Sequence, residues 1–454
     1  MTALTLLREH FQLDPETSRV VIVGAGLTGF SVARWLKVQG IRFAVVDSRD
    51  RPPALAQLQQ DIPDAPVFTG GFDQAAFQVA THMLVSPGVS LAEPSIAQAL
   101  AKGVRCFSDI DIFQALAKAP IVAVTGSNGK STVTTLVAEI ARAAGIKAAA
   151  GGNLGTPALD LLADDVALYV LELSSFQLER CHSLQPDAAV VLNISPDHLD
   201  RYPDLARYRA AKQAIFAQAK LKVINRDDPH VANMVSPGTD VIDFSITHPA
   251  ACCVCTEQDQ AVLYVQGQRL LAETELAMVG RHNTANMLAA CALAAAVHLP
   301  ITAMRQVGQR FTGLAHRMQT VAVKKGITWI NDSKATNIGA CVAALSGFTD
   351  KVLLIAGGDA KGAELQELAP ALSAHVEHLF LMGRDAPQLA QLAKQLDLHY
   401  ELVDSVEQAV RKAAYLAQPG QTVLLSPACA SLDQYRDYAD RGQRFSTAVR
   451  ELKS

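Results

Sequence analysis

Short apolar runs rich in β-branched residues alternate along this chain with longer Ala/Leu-rich stretches. "RVVIVGAG" leads into "FSVARWLKVQG", and "IRFAVVDS" follows. "PIVAVTG" leads into "STVTTLVAEIARAAG", and the alternation continues through "VALYVLELS", "AAVVLNIS", "LKVINRDD", "KVLLIAGG", "HLFLMG" and "QTVLLSPA". Unbroken apolar strands followed by helices predict parallel sheets covered on both faces. The pattern restarts twice, which predicts an α/β chain of three domains. Residues 1–107 read as a Rossmann-like unit with a Gly-rich turn. Residues 108–313 read as a P-loop-type unit with a parallel sheet, and residues 314–454 as a second Rossmann-like α/β unit. Within the middle unit, "VIDFSITHPAACCVCTEQDQAVLYVQGQRLLAETEL" predicts a small β insertion of hairpins. The first nineteen residues read as a short extension before the first strand.

Composition narrows the function classes. The 454 residues are 50% hydrophobic and 19% charged, which fits two or three globular domains rather than a disordered chain. A net charge of -4 without a basic block argues against a nucleic-acid or anionic-membrane surface. The apolar runs are strand-length, so no membrane helix is expected. The N-terminus lacks the basic-then-apolar order of a signal peptide, which points to the cytoplasm. The eight cysteines are then expected as reduced thiols, with Cys253 and Cys255 on one face of a strand.

Two glycine-rich turns carry candidate phosphate chemistry. In "VVIVGAGLTGF", Gly24, Gly26 and Gly29 stand between a strand and a helix, and Asp47 ends the next strand. That context lets backbone approach a diphosphate at a helix N-terminus, whichever nucleotide carries it. In "IVAVTGSNGKST", Gly129-Lys130-Ser131 matches the end of a P-loop, but Val124 stands where its first glycine belongs and Gly126 is the nearest substitute. Backbone N–H groups there would form an anion nest, Lys130 would meet outer phosphates, and the Ser131 hydroxyl suits Mg²⁺.

Polar clusters gather after the other strands. Glu172 ends a strand in "LELSSFQLE", where an acid beside a P-loop suits Mg²⁺. Asp197, His198 and Asp200 crowd "NISPDHLDRYP", and a helix beyond carries Lys212. A structural role and a ligand role stand even for that cluster on chemistry alone. "GRHNTANM" offers His282, Asn283 and Asn286 at a helix start, suited to an adenine edge, a phosphate or a cap. In the third unit, His316 and Arg317, then Asp332, Lys334, Thr336 and Asn337, then Lys361, then Ser426 and Ser431 all follow apolar runs. Such ends of parallel strands are where open α/β sheets bind ligands.

These stretches, in this order, resemble the Mur ligase family of peptidoglycan synthesis. The resemblance runs from about Val20 to Leu452 and is most specific in "TGSNGKSTVTTL", "LELSSFQLE", "DHLDRYP…YRAAK", "FTGLAHR", "NDSKATN" and "LLSPACASLDQ". It implies a monomeric cytoplasmic enzyme that uses ATP to join D-glutamate to UDP-N-acetylmuramoyl-L-alanine through an acyl phosphate, releasing ADP and phosphate. The N-terminal domain would bind UDP rather than NAD. Leu27 and Thr28 would meet the diphosphate, Asp47, Ser48 and Arg49 the uracil, and Ser86, Gly88 and Asn153 would complete that site. ATP would be held by Gly126, Ser127, Asn128, Gly129, Lys130, Ser131 and Thr132, and framed by Asn283, Asn286, Arg317, Asp332 and Lys334. Two Mg²⁺ ions would be held by Ser131, Glu172, His198 and Lys212, the last as a carbamate made with CO₂. Lys130, His198 and Lys212 would be catalytic. Thr336, Lys361, Ser431, Leu432 and Tyr438 would hold D-glutamate; position 438 is commonly Phe in that family.

Overall fold

The computed structural model describes residues 2–72, 74–236, 238–278 and 280–452. The first sheet has five parallel strands, with Arg19–Val23 in the middle between Arg42–Val46 and His82–Val85. The chain first builds outward on one side, then crosses to the other. The strand order therefore reverses between Arg19–Val23 and His82–Val85, and the loops leaving those two strands diverge to open a crevice. Those loops are the Gly24–Gly26 turn and the segment beginning at Ser86.

The second sheet has nine strands, and Ile121–Thr125 lies between Leu168–Glu172 and Ala188–Val191. The expected β hairpins are Cys252–Glu257, Gln260–Val265 and Gln268–Ala272. They do not form a separate lobe: Cys252–Glu257 pairs in parallel with Val241–Ser245, so the hairpins lengthen the same sheet. Cys253 and Cys255 share a face as expected, with sulfurs 3.7 Å apart. Helix Arg281–Ala296 is buried all round from Met287 to Ala294, as an Ala-rich helix must be to pack closely between other elements. The third sheet has six strands, with Ile327–Asn331, Thr422–Leu425 and Val352–Gly357 adjacent and parallel.

The apolar cores are not divided as the sheets are. One continuous cluster joins Val20, Ile22 and Leu84 of the first sheet to Ile121, Tyr169 and Leu171 of the second. The clusters around Leu354 and Trp329 contain residues of the third part of the chain alone. The first two sheets are thus welded by burial, and the third part is not.

The N-terminal extension takes part in the weld. Ala3–Phe11 is a helix, capped where the Thr5 amide donates to the Thr2 hydroxyl at 3.2 Å. Leu7 and Leu13 are fully buried in the cluster that holds Ile110 and Phe113. Leu7→Ala is expected to cost about 2–5 kcal/mol, seen as a lower midpoint of thermal unfolding; an unchanged midpoint would show the helix to be ornamental.

Candidate active site

Three adjacent strands of the second sheet release the central groups at their C-terminal ends. Ile121–Thr125 releases the 126–129 loop, Leu168–Glu172 ends on Glu172, and Ala188–Val191 leads to Asn193, Asp197 and His198. The loop is tighter than an ordinary P-loop. Gly129 has φ +83°, and a Cβ there would meet Asn286 Oδ1 at 2.4 Å. Gly126 has φ +152°, and its Cβ would lie 2.9 Å from that of Leu192. Both positions need glycine for conformation, and Gly126 for space as well. Asn193 pins the loop: Asn128 N–H donates to its Oδ1 at 2.8 Å, and its Nδ2 donates to the Asn128 carbonyl at 3.1 Å. Lys130 opens helix Lys130–Ala143, and its Nζ donates to the Gly126 and Ser127 carbonyls, both at 2.9 Å.

Glu172, Lys212 and His198 converge beside this loop. Glu172 is buried; its Oε1 accepts from Asn153 Nδ2 at 2.8 Å, and its Oε2 has no partner among the described residues. Burial pushes the Glu172 carboxyl up, but the Lys130 charge and the Asn153 hydrogen bond outweigh it and hold it below its ordinary range. Lys212 is only 2% exposed, and its Nζ donates to the Gly126 carbonyl at 2.9 Å. Burial, reinforced by the Lys130 charge, holds its ammonium well below the usual lysine range. His198 sits at φ +57°, and burial lowers its imidazole to about 4 against the opposing pull of Asp197. A neutral imidazole keeps a lone pair for a cation.

The third part of the chain faces these groups. Arg317 Nη2 donates to the Ser131 hydroxyl at 2.8 Å, Asn337 and Asn128 exchange amide hydrogen bonds at 3.1 and 3.3 Å, and Lys361 pairs with Asp197 at 3.1 Å. Two adjoining cavities result, sharing Asn128, Gly129, Arg317 and Lys334 as a wall. One, of about 390 Å³, is lined also by Thr132, Asn283, Asn286 and Asp332. The other, of about 370 Å³, holds Ser127, Lys130, Ser131, Glu172, His198 and Lys212 on one side. Thr336, Lys361, Ser431, Leu432 and Tyr438 line its other side.

Burial raises the Asp332 carboxyl to about 7, where Ser426 donates to it at 2.9 Å. Burial, with the Arg317 charge, lowers Lys334 to about 7. Lys334 Nζ lies 3.9 Å from the centre of the Tyr438 ring. The ring, rather than the hydroxyl, is what seats this lysine, so Phe would serve the same contact.

The candidate UDP residues divide. Leu27 and Thr28 open helix Leu27–Val38 beside the Gly24–Gly26 turn, Leu27 pointing to solvent. Asp47 is buried and already bonded: its Oδ2 accepts from Ala25 N–H at 2.7 Å, and Arg49 donates to both oxygens. It fixes the turn and the arginine while Ser48 stays exposed. Ser86 Oγ donates to the Gly24 carbonyl at 3.1 Å, which joins the two loops of the crevice. Gly88 follows in the same loop. Asn153 lies instead in the 370 Å³ cavity, on Glu172.

Asn193 and Arg441 carried no role in the sequence reading, and Asp197 carried one only as a member of its cluster. Asp197 stood in a conspicuous cluster, but its partner Lys361 is 164 residues away. Asn193 was visible only as the end of a strand. Buried Arg441 donates to Ser333 O at 2.8 Å, Cys429 O at 3.2 Å and Gly357 O at 3.4 Å, which ties together the three loops of the third sheet. Its sequence neighbourhood is an ordinary charged helix.

Among the described residues, no three His, Cys, Asp or Glu side chains converge on one point. A divalent ion here would need oxygen from other sources. The orphaned Glu172 Oε2, the Ser131 hydroxyl and neutral His198 suit Mg²⁺ completed by phosphate oxygens.

Three family models match successive parts of the chain. Residues 18–108 match the Mur ligase MurD-like N-terminal domain, residues 124–294 the Mur ligase middle domain, and residues 316–429 the Mur ligase glutamate ligase domain. A UDP-N-acetylmuramoylalanine–D-glutamate ligase of Methylococcus capsulatus is 50% identical over 437 residues, covering 96% of this chain and 95% of that one. The protein of the same name from Pseudomonas aeruginosa is 47% identical, covering 95% and 98%. Among solved structures, the UDP-N-acetylmuramate–alanine ligase MurC of Thermotoga maritima matches with TM-score 0.62 and 18% identity over 96% of this chain and all of that one. MurF of Acinetobacter baumannii matches with TM-score 0.62 and 16% identity over 99% and 98%. At those identities the structural matches speak for the fold.

Proposed function

The chain belongs to the Mur ligase family, and on that premise we propose that it catalyses the ATP-dependent ligation of D-glutamate to UDP-N-acetylmuramoyl-L-alanine. The product would serve cytoplasmic peptidoglycan precursor synthesis, and through it cell shape and division. Near-full-length identity to relatives bearing that name supports the reading. The single observation that carries the chemistry is the 370 Å³ cavity, where Lys130, Glu172, His198 and Lys212 face Thr336, Lys361 and Ser431. Among the described residues, no helix is long and apolar enough to cross a membrane.

In this reading residues 1–107 bind the UDP group, 108–313 bind ATP, and 314–454 bring D-glutamate. The adenosine lies in the 390 Å³ cavity, with its phosphates running over Gly129 into the second. The L-alanyl carboxylate takes the γ-phosphoryl group of ATP, and ADP leaves. The amine of D-glutamate attacks the acyl phosphate; the C–N bond forms, the amine loses a proton, and phosphate departs. Lys130 offsets charge on the transferring phosphoryl group. Lys361, held by Asp197, is presented to a carboxylate of D-glutamate. Mg²⁺, held by Ser131, Glu172, His198 and carbamylated Lys212, would neutralise phosphate charge. The depressed ammonium of Lys212 favours the neutral amine, which is the form that adds to CO₂. As a carbamate, Lys212 would supply the anionic oxygen that an ammonium could not.

The decisive assay is ADP release with UDP-N-acetylmuramoyl-L-alanine, with and without D-glutamate. Sustained turnover only when both are present supports the reading; equal turnover with L-alanine in place of D-glutamate would defeat it. Asp197→Asn is expected to raise the KM for D-glutamate about tenfold by releasing Lys361, with a smaller effect on the KM for ATP. Steady-state kinetics with each substrate varied in turn would check this.

A further inference from the structure

We propose that Arg201, with Arg180 behind it, is a positioning residue that holds the Ser86–Val89 loop for the nucleotide-sugar diphosphate and braces Phe176 against His198. The proposal rests on the reading of Ser86 and Gly88 as part of the UDP-sugar site. The loop leaves the sheet where the strand order reverses, and Ser86 ties it to the Gly24 turn. Its carbonyls are taken by side chains of the second sheet's unit. Arg180, which is 3% exposed, donates to the Ser86 and Val89 carbonyls. Arg201 Nη1 donates to the Pro87 carbonyl at 3.0 Å. Two guanidinium charges thus lie behind a loop that would meet a diphosphate, and among the described residues only Arg201 has an acid partner, Glu179 at 3.7 Å.

Packing alone accounts poorly for Arg180. Its acceptors are neutral carbonyls, and its Nε has no partner among the described residues. Burial lowers its guanidinium to about 10. A buried cation without a bonded carboxylate costs stability, so a local gain elsewhere is needed to explain it. Arg201 has a second contact. Its guanidinium carbon lies 4.1 Å from the centre of the Phe176 ring, and that ring meets the His198 ring edge-on at 4.9 Å. One side chain therefore touches the diphosphate loop and the aromatic that sets His198.

The test compares wild type with Arg180→Met, Arg201→Met and Arg201→Lys, by steady-state kinetics and by calorimetric titration with UDP alone. Arg201→Met should raise the KM for the UDP-sugar about tenfold and lower kcat, leaving the KM values for ATP and D-glutamate nearly unchanged. Arg201→Lys should recover UDP affinity in part but not kcat, because an ammonium has no planar face for Phe176. Arg180→Met, which lacks the Phe176 contact, should weaken UDP binding with kcat retained. If Arg180→Met does not fold, the two Arg201 variants decide. Wild-type UDP affinity in Arg201→Met, or equal rises in all three KM values, would overturn the proposal. A wild type inactive on the UDP-sugar would instead defeat the ligase reading, and the UDP titrations would still judge the loop.

Discussion

Lys212→Ala is expected to lose turnover about a thousandfold or more, and added acetate or another short carboxylic acid is expected to restore part of it. The side chain is buried at the end of helix Leu205–Gln213, with the Gly126 carbonyl and the Tyr208 ring as its neighbours. An ammonium there is poorly solvated and lies in the field of Lys130. In the proposed reading, adding CO₂ to the neutral amine would replace that buried cation with an anion facing the phosphate loop. Alanine would remove that anion and leave room for a small carboxylate in its place. Bicarbonate should not substitute, since alanine offers no amine to carry CO₂. Full activity of Lys212→Ala without any additive would end the carbamate role. Loss of activity that no carboxylate relieves, with an unchanged unfolding midpoint, would also count against it.

Lys130→Ala is the second large effect, a fall in kcat of about 10²–10³ that small acids do not rescue. Lys130 heads its helix and bridges the Gly126 and Ser127 carbonyls. Burial lowers its ammonium, while Glu172 and Asp197 favour the charged form. Its removal takes away a loop clamp and, in the proposed reading, a positive charge for the transferring phosphoryl group. The loss should appear in a single turnover of ADP formation without D-glutamate, because phosphoryl transfer precedes amide formation. A normal first turnover with a slow second step would assign Lys130 to a different stage.

The distribution of apolar burial sets how firmly these groups are held together. The first two sheets share one core, so the crevice beside Ser86 and the 126–129 loop keep a fixed relation. The third part of the chain meets that body through Arg317 on Ser131, Asn337 on Asn128 and Lys361 on Asp197, all polar contacts. Polar interfaces of this kind open more readily than apolar ones. That suits a site that admits substrates and then excludes water from an acyl phosphate.

Local physics was legible from the residues. Gly126, Gly129, Lys130 and Ser131 stand within six positions, and a strand, a tight turn and a helix start need nothing distant to define them. Glu172 was readable for the same reason, since a run of apolar residues ending on an acid marks a strand end beside the loop. The resemblance ordered the remaining clusters along the chain. The residue-level cost of burial was not legible. Nothing around Lys212 says that its Nζ will reach Gly126, 86 residues earlier. Nothing around Arg201 points to Pro87, 114 residues away. The alternation of strands and helices determined three parallel-sheet units and the loops that carry their chemistry, because backbone geometry and apolar periodicity act over a few residues. Which charges lose water, and which partner each then finds, was decided by packing between units. Desolvation depends on what covers a group from every side, and most of that cover comes from distant parts of the chain.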